Sequence, residues 1–165
     1  MKTNVKSLVC TALMLLPYYG FSQILSYTQA TSMDINGIFI GGKYTKIQVE
    51  AKWGSPTQYG SNTSENGLNE FYNYTINQIN NQFLFAENGI FHTFNIRTSS
   101  FAVYTAFSGG IKVGDNISRI QAIGLGTPIL QSNGTYHLRR NNSTDPLVFS
   151  HSNGIITQIS FMTSV

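Results

Sequence analysis

Charge is scarce in this 165-residue chain: Asp, Glu, Lys and Arg together make up 10% of it, against about 25% in an ordinary soluble domain. It has one cysteine and four prolines. No apolar run approaches the roughly 20 residues that a membrane-crossing helix requires, so no membrane span is expected. A single cysteine excludes an intrachain disulfide and a thiolate-rich zinc site. The basic residues are scattered, with Arg139-Arg140 the only adjacent pair. Without a concentrated basic surface, nucleic acid is not an expected partner.

Lys2 and Lys6 precede the apolar run Leu8 to Leu16, and Pro17, Gly20 and Ser22 follow. A charged start, a short apolar run and small residues make a secretory signal peptide over residues 1–22. Cleavage before Gln23 would leave 143 residues and lower the formal net charge from +3 to +1. The basic balance thus belongs largely to the leader. Cys10 lies early in the apolar run, away from a lipid-acceptor position, so the reading gives a cysteine-free mature chain in a periplasm or outside the cell. A chain of this length forms one domain, residues 23–165, able to bury roughly 68% of its unfolded surface in a core without disulfides.

The main sequence feature is internal repetition. Thr45-Lys46-Ile47-Gln48 recurs as Ser118-Arg119-Ile120-Gln121, Gly54-Ser55-Pro56 as Gly126-Thr127-Pro128, and Asn88-Gly89-Ile90 as Asn153-Gly154-Ile155. A glycine stands ahead of each copy, at Gly42 and Gly114. The repeats run over about 37–107 and 108–165. Each hydroxyl residue with Gln three positions on reads as a capping box that opens a short helix. The Gly and the Pro two residues later close it.

Strands follow each helix. Asn88-Gly89 and Asn153-Gly154 read as type I′ hairpin turns. Strict alternation places Ile90, His92, Phe94 and Ile96 on the core face and Phe91, Thr93 and Asn95 on the other. In the second copy Ile155, Thr157, Ile159 and Phe161 face the core, and Ile156, Gln158 and Ser160 oppose them. Earlier strands run through Tyr72-Asn73-Tyr74 and Tyr136-His137-Leu138. The fold class is therefore α+β: two tandem repeats of a short helix plus antiparallel strands, forming one continuous sheet of six to eight strands with both helices on one face. Residues 23–36 read as a lead-in arm, ending in an edge strand at Ile38 to Ile40.

The run from Ile111 to Ser118, the Gly126-Thr127-Pro128 stop, the Tyr-containing strand and the Asn-Gly hairpin resemble the repeat of β-lactamase-inhibitor-protein-like domains. They are also similar to the small lipoprotein of the outer-membrane β-barrel assembly machinery. The resemblance covers residues 38–98 and 110–162. It implies protein binding through an open sheet face, with no catalytic residues to transfer. The chain lacks that lipoprotein's acceptor cysteine and the inhibitors' disulfides, so anchoring and β-lactamase inhibition are not implied.

Catalytic patterns are missing. His92, His137 and His151 have no metal-binding spacing, and no Gly-x-Ser-x-Gly elbow is present. Gly124-Leu125-Gly126 lacks the third glycine of a dinucleotide loop and closes a helix rather than opening one. No enzymatic activity and no cofactor are expected. A hydrolase would require His137 or His151 to meet Asp145 in a pocket. The sequence supports a binding module that uses Phe91, Thr93, Asn95, His137, Arg139 and Gln158, with Phe91 as the aromatic anchor. The partner is expected to be a protein. The alternative is a small ligand or glycan held by the aromatics together with Asn and Gln.

Overall fold

The computed structural model describes residues 33–64, 67–106, 108–124, 126–139 and 146–162, so the leader lies outside the described residues. The element order is β1 (Asp34–Ile35), β2 (Ile38–Phe39), α1 (Lys46–Trp53), β3 (Gln58–Ser64), β4 (Gly67–Ile76), β5 (Ile79–Ala86) and β6 (Phe91–Ile96). Then come β7 (Ala102–Thr105), β8 (Ser108–Lys112), a 3-10 helix (Ile117–Ile123), β9 (Ile129–Leu130), β10 (Tyr136–Arg139), β11 (Pro146–Ser152) and β12 (Ile155–Phe161). The fold is α+β. Eight strands form one antiparallel sheet in the order β3-β4-β5-β6-β12-β11-β10-β9.

The order reads the same from either edge in repeat terms, because β6 and β12 are corresponding strands that pair with each other. Phe94 faces Phe161, Asn95 faces Ser160 and Ile96 faces Ile159. With corresponding positions 65 residues apart, Asn95 and Ser160 are each other's equivalents and mark a local two-fold axis. The same backbone contacts recur on both sides. The amides of Gly41 and Gly114 donate to the carbonyls of Phe91 and Ile156, and those of Tyr44 and Ile117 donate to Gly89 and Gly154. Lys43 bridges Ile90 as Asn116 bridges Ile155. These bonds align Gly41, not Gly42, with Gly114, and both aligned glycines hold positive φ.

Local chemistry accounts for the helices. Thr45 caps α1 with a complete capping box, its hydroxyl accepting from the Gln48 amide while the Gln48 side chain accepts from the Thr45 amide. In the second copy the cap is Asn116, whose side chain accepts from the Ser118 amide, and the helix is 3-10. The expected Ser118 box is therefore corrected: the cap stands two residues earlier, at Asn116, and Ser118 supplies the amide that it binds. The first Asn-Gly turn also differs from expectation. Only Gly89 has positive φ, and its amide bonds Ala86, so Gly89 closes a three-residue loop. Asn153-Gly154 is a true two-residue turn with positive φ at both positions. A further two-residue turn at Asn77-Gln78 joins β4 to β5.

The layer over the sheet contains more than helices. A second sheet, β2-β1-β7-β8, lies beside them. Its Ile35, Ile38, Val103 and Ile111 belong to the same core as Val49, Ile120 and Ile123 from the helices, and as Phe83, Phe85, Phe149 and Ile159 from the large sheet. The expected edge strand at Ile38 is an edge of this smaller sheet. The end of the lead-in arm is core, through Met33 and Ile35. Trp53 ties the layers together. Its indole N–H donates to the Ile35 carbonyl at 2.9 Å, and its ring lies 4.4 Å from that of Phe83.

Candidate functional site

The helices and the small sheet cover one face of the eight-stranded sheet. On the other face, left uncovered by the described residues, the registers align one residue from every strand: Gln58, Asn73, Gln82, Asn95, Ser160, Val148, His137 and Ile129. None of the eight is fully buried. At about 4.8 Å between strands, the row spans about 34 Å. It contains no Asp, Glu, Lys or Arg. Its first half is a ladder of amides, in which Asn73 Nδ2 donates to Gln58 Oε1 at 3.1 Å.

Among the described residues, five buried side-chain polar atoms lack a hydrogen-bond partner, and three of them lie in this row: Asn73 Oδ1, Asn95 Oδ1 and His137 Nδ1. A shielded polar atom without a partner costs about 1–3 kcal/mol, so their concentration in one row of the uncovered face needs a physical reason. Beside the row, Phe71 pairs with Gly60, and a Cβ on Gly60 would come within 2.7 Å of the Phe71 ring. The glycine therefore lets the ring lie across β3. Leu84 stands next to Phe71 on the neighbouring strand.

Of the residues expected to bind, Thr93, Asn95, His137 and Gln158 are on the uncovered face. Asn95 and His137 share the row, three strand spacings apart, or about 14 Å. Arg139 pairs with Pro146 in β10, and its side chain is outside the described ones. Phe91 is not on this face. It is 0% exposed and packs against Phe85 at 4.8 Å and Trp53 at 5.7 Å. The cause is a β-bulge. The register shifts so that Phe91 faces Phe85 and Thr93 faces Leu84, leaving His92 as the extra residue. Alternation then restarts, which puts Phe91, Phe94 and Ile96 all on the core side.

The same irregularity recurs 65 residues later, with Thr157 as the extra residue. Ile156 is accordingly 1% exposed and Ile155 41% exposed, the reverse of the expectation from strict alternation. His92, expected on the core face, instead contacts Asn69 Oδ1 and Thr93 Oγ1, each at 2.9 Å. Burial holds its pKa below the ordinary 6.5, favouring the neutral ring. Asn73 and Gln82 were readable as site residues, because each alternates with core aromatics, Tyr72 and Tyr74 for one and Phe83 for the other. The gathering of the amides into one row depends on registers that no local signal encodes.

Elsewhere, a hollow of about 550 Å³ beside the start of α1 is lined by Lys43, Lys46, Glu70 and Glu87 among others. Its charges balance, and Lys46 is already paired with Glu50 at 2.6 Å. Among the described residues no three His, Cys, Asp or Glu side chains are grouped to hold a metal ion. No helix among them is long and apolar enough to cross a membrane. Asp145, needed for the hydrolase alternative, lies outside the described residues.

No family model and no curated protein matches the chain. A solved structure it resembles is that of an extracellular protein containing an SCP domain from Bacillus anthracis str. Ames, with 15% identity and a TM-score of 0.46. The match covers 76% of this chain and 44% of the other, so the chain spans less than half the length of that protein. This finding corrects the expected relation to β-lactamase-inhibitor-like repeats and the assembly lipoprotein, since the match is to neither. The residues behind that expectation form a helix cap, a Gly-x-Pro stop and a hairpin turn, local devices that unrelated α+β units share. The expectation of a cysteine-free mature chain is also corrected: a cysteine, Cys10, is present in the sequence. The leader marks the protein for export, to a periplasm or beyond the cell.

Proposed function

We propose that the chain is an exported, non-catalytic binding module, and that its ligand is a neutral, hydroxyl-rich small molecule or glycan held on the uncovered face. The observation that carries this reading is the uncharged row in which Asn73, Asn95 and His137 keep shielded atoms without partners. Amides both donate and accept, as sugar hydroxyls do, and neither side carries a net charge that must be desolvated. Phe71 offers an apolar ring beside the ladder, suited to the C–H face of a pyranose.

The second reading is a protein partner, favoured by Leu84, Val148 and Ile129 on the same face. Protein interfaces concentrate their energy in buried aromatic or Arg anchors. With Phe91 in the core, the face loses the anchor that reading relied on.

The test is a thermal-shift screen with neutral oligosaccharides, followed by calorimetry on the best of them. The reading expects stabilisation that rises with sugar concentration and is lost in Asn73→Ala/Asn95→Ala. If no sugar stabilises the protein, or the double variant binds as well as the parent, the reading fails.

A further inference from the structure

The two edges of the large sheet are built differently. At one end β9 is two residues long and runs into the turn at Gln131–Gly134. At the other, β3 pairs with β4 over seven consecutive residues, Gln58 to Ser64, without a register shift. Edge strands are usually protected by shortness, a bulge, a proline or a charged side chain, most often lysine, because their free amides and carbonyls are templates for another strand. Gln58–Ser64 has none of these. Among the described residues no strand pairs with its outer side.

We propose that the outer edge of β3 pairs antiparallel with β3 of a second copy of this chain, joining two eight-stranded sheets into one. An antiparallel edge contact is two-fold symmetric, so a strand is its own complement and no unlike partner is needed. The chain already makes such a seam internally, where β6 meets its equivalent β12 across the axis through Asn95 and Ser160. A β3 seam continues the same sheet with the same operation. The strand carries no charge to repel its copy, and Tyr59 stays 40% exposed at this edge. Gln58, the outermost amide of the row, would then lie near the seam, so the amide ladders of the two copies would approach each other on one surface.

The pairing can be tested without any ligand. Sedimentation of the protein over a wide concentration range is compared with Ser61→Lys/Asn62→Lys, which puts a lysine on each face of the edge. Hydrogen exchange of the β3 amides is followed in parallel. The proposal expects a concentration-dependent dimer whose β3 amides gain protection on association. It expects the lysine variant to associate roughly tenfold more weakly or worse, with a melting temperature equal to the parent's at dilutions where both are monomers. Proline at Ser61 or at Asn62 supplies a second check. Successive amides point to opposite sides of the strand, so one of the two substitutions abolishes the dimer while leaving the β4 pairing intact. A monomer at every concentration would overturn the proposal. So would a dimer with unprotected β3 amides, a dimer indifferent to these substitutions, or β3 protection that arises only on adding an unrelated extended peptide.

Discussion

In the first half of the large sheet Trp53 lies among Tyr74, Phe83, Phe85, Phe91 and Phe101, with ring centroids 4.4 to 6.5 Å away. The second half is built from Ile120 and Ile123 of the 3-10 helix against Leu138, Leu147, Phe149 and Ile159. One half opens with a boxed α-helix, the other with a helix held by a single Asn cap. Yet the backbone contacts from the glycine loop to the hairpin recur in both, as does the bulge one residue after Phe91 and Ile156. The comparison teaches that chain path and side-chain packing are separable here. Main-chain bonds and turn residues carry the repeated path, while aromatic stacking concentrates stability in the first half.

Four comparisons, made with six substitutions, break or sharpen this contrast, in falling order of expected effect. Trp53→Ala should cost about 3–5 kcal/mol, because a large ring at the centre of the cluster leaves a cavity that its neighbours cannot fill. Ile120→Ala should fall at the low end of its class, about 2–3 kcal/mol. Urea unfolding of the two variants checks this, and equal losses would remove the contrast.

Next is Asn81, which is 0% exposed and precedes Gln82 of the row as Leu147 precedes Val148, so that Leu147 is its counterpart in the second half. Its Oδ1 accepts from the Arg97 and Thr98 amides and the Thr98 hydroxyl, and its Nδ2 donates to the Tyr74 carbonyl. Asn81→Leu, which installs the second half's residue, should cost about 2–3 kcal/mol by stranding those groups. A neutral result would show that the two halves are interchangeable at this point.

Thr45→Ala should cost about 1 kcal/mol by removing the capping box, and Asn116→Ala no more than that. Thermal melts of the two variants give the comparison. The smallest effect concerns pH. Burial lowers the His92 pKa below 6.5, so as pH falls the unfolded chain takes up the proton first. The His92 contribution to stability is complete above about pH 6.5 and declines below it, until the lowered folded value is passed. His92→Gln should flatten that part of the stability–pH curve. The second half has Thr157, a residue that does not titrate, at this position.

Much of the architecture was legible because the signals were local. A hydroxyl with Gln three residues on, Gly-x-Pro, Asn-Gly and Tyr-x-Tyr each act within a turn or one strand, and their repetition in order predicted a duplicated α+β unit. What escaped was non-local. The bulges at His92 and Thr157 arise only when β6 and β12 are laid on their neighbours, and they inverted the faces of Phe91, Ile155 and Ile156. The small sheet pairs β1 with β7, segments some 70 residues apart, which no pattern in either reveals. For the site, Thr93, Asn95, His137 and Gln158 could be placed from alternation beyond the bulges. The amide row could not, because it is a product of seven strand registers.

The most direct test of the central claim is an NMR titration of the protein with the neutral oligosaccharide that stabilises it best, following side-chain amide and methyl signals together. The account predicts saturable shifts in the Asn73, Gln82 and Asn95 amides, while the Val49, Ile120 and Ile123 methyls under the other face stay still. Shifts that gather around the helices, with the amide row unmoved, would contradict it.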